Sequence, residues 1–109
     1  DGKDDEAIRL LALVDGVPLG SARLLLSGDT GKIGRVCVLA PARGTGLGAA
    51  LIRAAVAELR THPGIIRAKL GAQTHALGFY ERLGFSAYGP IYDDAGIPHR
   101  DMVLSLQMG

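Results

Sequence analysis

A second cysteine is missing from these 109 residues, so Cys37 cannot close an internal disulfide. Nothing adjacent to it in the sequence would lower its pKa, and its apolar run "RVCVLA" suits a small buried hydrophobe, so Cys37 reads as a packing residue. An excess of one charge is missing too. Lys and Arg number 12 against 11 Asp and Glu, scattered along the chain, and no basic stripe stands ready to grip nucleic-acid phosphates. There is no apolar stretch long enough to cross a bilayer, and no charged-then-apolar leader. The expectation is a soluble, cytoplasmic protein that uses neither nucleic acid nor membrane. Internal repeats and low-complexity segments are also lacking.

What is present is enough apolar residue, 48% of the chain, for one domain with one modest core. The opening "DGKDDEA" resembles a loop or tail. Ala7 to Val14 and Gly20 to Leu26 read as antiparallel strands, with Asp15-Gly16 as their hairpin turn. A second turn, "SGDTGK", leads to a third strand from Lys32 to Leu39, stopped by Pro41. Between Thr45 and Arg60 there is no proline. There Leu47, Leu51, Ala54 and Ala55, widened by Ile52, Val56 and Leu59, recur at helical spacing. "THPG" ends that helix, and Ile65 to Leu70 is a short strand. Thr74 can cap a second helix reaching about Leu83, with Ala76, Phe79, Tyr80 and Leu83 along one side and Gly84 as its stop. "FSAYGPIY" and "HRDMVLSLQM" flank "DDAGIP" as a final hairpin. Strands and helices in this order predict an α/β or α+β domain, a mixed, mainly antiparallel sheet flanked by helices.

The stretch "RVCVLAPARGTGLGAALI" sets glycines 44, 46 and 48 where a strand hands over to a helix. The first turn of a helix has backbone N–H groups without internal partners and partial positive charge. Glycines there let phosphate oxygens approach, and Arg43 can add a charged fork. A tight turn that uses the same glycines for packing alone is the competing explanation. A P-loop requires Gly-Lys followed by Ser or Thr, whereas this chain reads Gly48-Ala49-Ala50. A dinucleotide fingerprint requires G-x-G-x-x-G and an acid ending the next strand, whereas the spacing here is G-x-G-x-G and "GIIRAKLGAQ" has no acid.

The same stretch resembles the acyl-CoA-binding motif of the GNAT N-acetyltransferase superfamily, an Arg/Gln-x-x-Gly-x-Gly/Ala turn that Arg43, Gly46 and Gly48 fill. "AQTHALGFYERLGF" resembles that superfamily's later motif, a helix carrying a tyrosine and ending in Leu-Gly-Phe. "IGRVCV", "LGAQTHALGFYERLGF" and "DDAGIPHRDM" are similar to its ElaA-like branch. The likeness runs from about Ala7 onward, over a chain read as one domain, residues 1–109. Superfamily members normally begin with a strand and one or two helices, so the chain resembles the last two-thirds of such a domain.

The resemblance implies acetyl-CoA as co-substrate, no metal, and direct attack by a primary amine, small-molecule or peptide, in a ternary complex. Main-chain atoms of Val36 and Val38 would hold the pantetheine arm and the thioester oxygen. Arg43, Gly44, Thr45, Gly46, Leu47 and Gly48 would hold the pyrophosphate, and Gln73 the CoA arm. Tyr80 matches the tyrosine that protonates the leaving thiolate, a phenol that stays protonated at neutral pH. Taken without the resemblance, Tyr80 is a packed helix-face aromatic. Many relatives use a glutamate base on the strand that here reads "KIGRVCVL", where no acid occurs. His75, Asp94 and His99 remain, and His99, after Pro98 at the entry to the last strand, ranks first. The alternative function is a non-catalytic CoA-binding or assembly module, with association into a homo-oligomer as one remedy for a missing wall.

Overall fold

We describe the protein from a computed structural model, which covers residues 6–107. Strand β1 (Glu6–Val14) turns back into β2 (Val17–Ser27) through Asp15 and Gly16, with φ of 52° and 81°. Two left-handed residues give this turn the twist of its flanking strands, which is why Asp-Gly works here. β3 (Thr30–Val38) follows, then a 3₁₀ turn over Ala40–Ala42 and the glycine turn that opens α1 (Leu47–Arg60). β4 (Arg67–Gln73), a second 3₁₀ turn over Thr74–Ala76, and α2 (Leu77–Arg82) come next. β5 (Ser86–Asp94) and β6 (Ile97–Ser105) close the chain through a two-residue turn. The six strands form one sheet in the order β1-β2-β3-β4-β6-β5, antiparallel except for β3 with β4. This is the expected mixed, mainly antiparallel sheet flanked by helices.

The core lies between one face of the sheet and α1. Leu24, Leu26 and Ile33 alternate with exposed or half-buried residues along β2 and β3, and Ala68, Leu70 and Ala72 along β4. Leu51, Ile52, Ala55, Val56 and Leu59 of α1 pack on them, with Phe85 and Met102 completing the layer. The opposite face has no helix across it among the described residues, and it carries arginines and lysines together with exposed or half-buried apolar residues such as Leu11 and Leu25.

Several sequence expectations need correcting. Cys37 is exposed, because it pairs with Ser21 on the open face of the sheet, where nothing packs. Ala54 is exposed, the apolar stripe of α1 being narrower than its spacing suggests. Thr74 opens a 3₁₀ turn and makes no side-chain cap; the helix behind it begins at Leu77 and ends at Arg82, with Gly84 (φ 102°) just beyond. Phe79 is 36% exposed rather than packed. The strand expected from Ile65 begins at Arg67 and continues to Gln73. Of the opening "DGKDDEA", Glu6 and Ala7 belong to β1, while Asp1 to Asp5 lie outside the described residues.

Two of the sheet's irregularities lie along β3. β3 and β4 pair only at Thr30↔Arg67, Gly31↔Ala68 and Lys32↔Lys69, after which they diverge. Between Ser21 and Arg23 the β2–β3 register slips by one, so Arg35 and Val36 together oppose Ala22 in a β-bulge. Arg35 takes φ 50° there, a left-handed conformation that costs a side chain on the order of 1–2 kcal/mol.

The close approach of α1 to β3 depends on Gly31. A Cβ at that position would lie 2.4 Å from Cδ2 and 2.8 Å from Cδ1 of Leu59, which is fully buried. Gly31→Ala is therefore expected to destabilise the fold by about 1–3 kcal/mol through overpacking, measured as a fall in denaturation midpoint at constant m-value.

Candidate active site

Where β3 and β4 separate, their facing edges border a cleft of about 610 Å³. β3 continues to pair outward with β2, and β4 outward with β6, so the inward backbone groups of both strands beyond Lys32 and Lys69 have no ladder partner across the gap. Such groups must be satisfied by water or by a ligand that runs between the strands. Val36, Gln73, Tyr80, Asp94 and His99 all line this cleft, brought together from β3, β4, α2, β5 and β6.

Tyr80 stands on α2 with its ring edge-on to Phe79 (5.0 Å between centroids) and to Phe85 (6.1 Å). Burial raises the pKa of its phenol, because the phenolate would lose solvation. The hydroxyl thus remains protonated and available as an acid at neutral pH. His99 lies 2.8 Å through Nδ1 from the carbonyl oxygen of Ile97. That contact assigns the proton of the neutral ring to Nδ1 and leaves Nε2 with its lone pair, the state a base requires. Gln73, by contrast, has its Oε1 against Nε2 of His75, so His75 is occupied at the strand end.

Tyr92 was not among the residues expected in the site. It pairs with His99 across the final hairpin, its ring stacks on the imidazole at 6.0 Å and 25°, and its hydroxyl donates to Asp101 Oδ1 at 2.8 Å. Gly71 makes room for this: a Cβ there would lie 2.5 Å from the Tyr92 hydroxyl oxygen. The signal in the sequence was the turn. Once Ala95-Gly96 is taken as a two-residue turn with φ of 55° and 81°, Asp94, Asp93 and Tyr92 must face Ile97, Pro98 and His99.

The glycine turn lies beyond the outer end of β3, apart from the cleft. Gly44 (φ 79°) and Gly46 (φ 87°) need glycine for their backbone conformation, while nothing stands within 4 Å of where a Cβ would be. Gly48 is different, since a Cβ on it would meet Phe79 Cζ and Val38 Cγ2, each at 3.8 Å, and fill the slot between them. Leu47 and Gly48 begin α1 with amides that have no intrahelical acceptor, and no side chain caps this end. An open helix N-terminus beside a slot that a single methyl would fill fits a phosphate-bearing chain such as CoA. Thr45 contributes nothing outward, because its amide and hydroxyl both donate to the Ala42 carbonyl. Arg43 Nε donates to the Val38 carbonyl at 3.1 Å, which anchors the guanidinium at the strand end with its terminal nitrogens free. Among the described residues no cluster of three or more His, Cys, Asp or Glu could hold a metal ion, and no helix is long and apolar enough to cross a membrane.

The hydrogen bond to the Asp101 carboxylate, helped by desolvation, pushes the Tyr92 phenol from its ordinary 10.0 up to about 12. Because the folded-state value is raised, the stabilisation from this bond is complete below pH 10.0 and is lost as pH rises through about 12. Gly71→Ala displaces the Tyr92 hydroxyl from Asp101, so stability below pH 10.0 is expected to fall by about 0.5–1.5 kcal/mol, the worth of one exposed hydrogen bond. The Tyr92 phenol should meanwhile titrate nearer 10.0, read by ultraviolet titration with Tyr92→Phe as the blank.

Comparison with known proteins points the same way as this geometry. Residues 3–106 match the acetyltransferase (GNAT) domain family. A Bacillus subtilis (strain 168) protein proposed to be an acetyltransferase is 40% identical over 90 residues, 83% of this chain and 60% of its own length. ElaA of Escherichia coli superposes with a TM-score of 0.81 at 29% identity, covering 90% of this chain and 68% of that one. An acyl-CoA N-acyltransferase from Pseudomonas aeruginosa gives 0.82 at 33% identity, covering 91% and 68%. The chain thus spans 60% and 66% of the length of two curated relatives. With a family match that runs through the glycine turn, the Tyr80 helix and the final hairpin alike, the chain belongs to the GNAT acetyltransferase family.

Proposed function

We propose that this protein, as a member of the ElaA-like branch, transfers an acetyl group from acetyl-CoA to a primary amine by direct attack in a ternary complex. The observation that carries this reading is the cleft itself. A protonated phenol, an imidazole with a free Nε2, and two unpaired strand edges face one space between diverging strands.

In this reading the glycine turn and Arg43 hold the pyrophosphate, and the slot between Val38, Gly48 and Phe79 passes the pantetheine arm inward. Backbone groups at Val36 and Val38 orient the thioester, so side-chain changes there matter less than loss of an N–H donor would. His99 Nε2 takes a proton from the attacking amine as the C–N bond forms. Tyr80 gives its hydroxyl proton to the departing thiolate as the C–S bond breaks, and both groups regain their starting states by exchange with water. Holding the two reactants in line supplies much of the acceleration, up to roughly 7–11 kcal/mol in well-oriented systems, so no covalent enzyme intermediate is required.

Calorimetric titration with acetyl-CoA should show saturable binding that is lost in Gly46→Asp, whose carboxylate would meet the phosphates, and weakened in Arg43→Ala. Tyr80→Phe should keep binding acetyl-CoA but lower kcat by about 10²-fold or more. A fully active Tyr80→Phe enzyme would remove the tyrosine from the reaction. Replacing His99 by Gln should likewise lower kcat while leaving acetyl-CoA binding intact.

A further inference from the structure

The open face of the sheet separates its charges. Arg9, Arg23 and Arg35, from three neighbouring strands, border one hollow, and Arg23 and Arg35 continue with Lys32 into the wall of the cleft. Across the cleft stand Asp94 and His99. Other cations of the same face are already engaged: Arg67 pairs with Asp29 at 2.6 Å, and the Lys69 ammonium sits over the Tyr88 ring, 5.5 Å from its centroid. Among the described residues no carboxylate pairs with Arg23, Lys32 or Arg35.

Arg35 is there by virtue of the bulge. Gly31 and Ile33 face the core and Lys32 and Gly34 the open side, so regular alternation would turn residue 35 toward the core. The bulge carries it instead onto the open face beside Arg23, in a left-handed conformation that glycine would adopt freely. A left-handed residue that brings to a cleft a guanidinium paired with no described carboxylate is a candidate functional position.

Resting on the acetyltransferase reading, we infer that the acceptor is a primary amine that also carries an anionic group, a carboxylate or a phosphate. Arg23 and Arg35, with Lys32, hold the anion while the amine faces His99 and Asp94. A guanidinium fork recognises either oxyanion by paired N–H donation. An amine that arrives as the ammonium is drawn to Asp94, releases one proton to water to become the nucleophile, and passes a second to His99 Nε2 as the C–N bond forms, so the two ends of one acceptor answer the two signs of the cleft.

The test is a set of matched acceptors assayed with this chain and acetyl-CoA by release of free thiol: 4-aminobutyrate against 4-aminobutanamide, 6-aminohexanoate against 6-aminohexanamide, and phosphoethanolamine against ethanolamine. In at least one pair the anionic member should show a kcat/KM about tenfold to hundredfold higher, the size of a charged hydrogen bond. Preference for the acids assigns a carboxylate, and preference for phosphoethanolamine a phosphate. Arg23→Gln and Arg35→Gly should bring the ratio toward one. Arg60→Gln, which removes the same charge from α1, should leave it intact. Arg35→Gly places glycine in the left-handed position, so its Tm should not fall and a lost preference there is not misfolding. Transfer that proceeds equally well or better with every neutral partner, or a preference unchanged in both cleft variants, overturns this inference and leaves the acetyltransferase reading standing. A folded chain that binds acetyl-CoA yet acetylates no amine overturns both.

Discussion

The site depends on how little of β3 pairs with β4. Three residue pairs join them, and the contact is pinned at one end, where the Ile66 amide donates to the Asp29 carbonyl at 2.8 Å and Arg67 reaches the Asp29 carboxylate. Hydrogen bonds from Thr30 and Arg67 hold that carboxyl below its usual range, so it remains charged and keeps the pin closed. Beyond Lys32 each strand is retained by its outer neighbour alone. The sheet is continuous at one end and open at the other, which creates a cleft bordered by rigid strands.

The two faces of the sheet divide the remaining work. On one, α1 seals an apolar layer tight enough that Gly31 must lack a side chain to admit Leu59. Burial there stabilises the strands and fixes the angle at which α1 presents its uncapped N-terminus. On the other face no helix packs among the described residues, and strand alternation releases charged, aromatic and aliphatic side chains there, Leu11 and Leu25 among them. Val38 and Phe79 flank Gly48 at the opening of α1, apart from the cleft, while Tyr92, His99 and Arg35 line the cleft itself.

Much of this is legible in local chemistry. Asp15-Gly16 and the cluster around Ala95-Gly96 announce hairpins because a two-residue turn demands left-handed residues. The apolar spacing from Leu51 to Leu59 announces a helix with one buried face, and glycines 44 and 46 announce a strained turn before it. Spacing alone does not fix which alanines of α1 are buried, nor that the segment after Gln73 opens as a 3₁₀ turn. Those outcomes depend on how near the sheet lies and on how sharply the chain must leave β4.

By itself, the sequence determined the order of elements, the hairpin turns and the buried face of α1, since each rests on neighbours within a few positions. The tertiary structure decided the rest. That β3 leaves β4 after Lys32, that a bulge turns Arg35 and Cys37 outward, and that Gly71 vacates the space in which Tyr92 meets Asp101 are results of register between strands distant in sequence. Register is set by the packing of the whole sheet, and one residue of slip reverses every side chain beyond it.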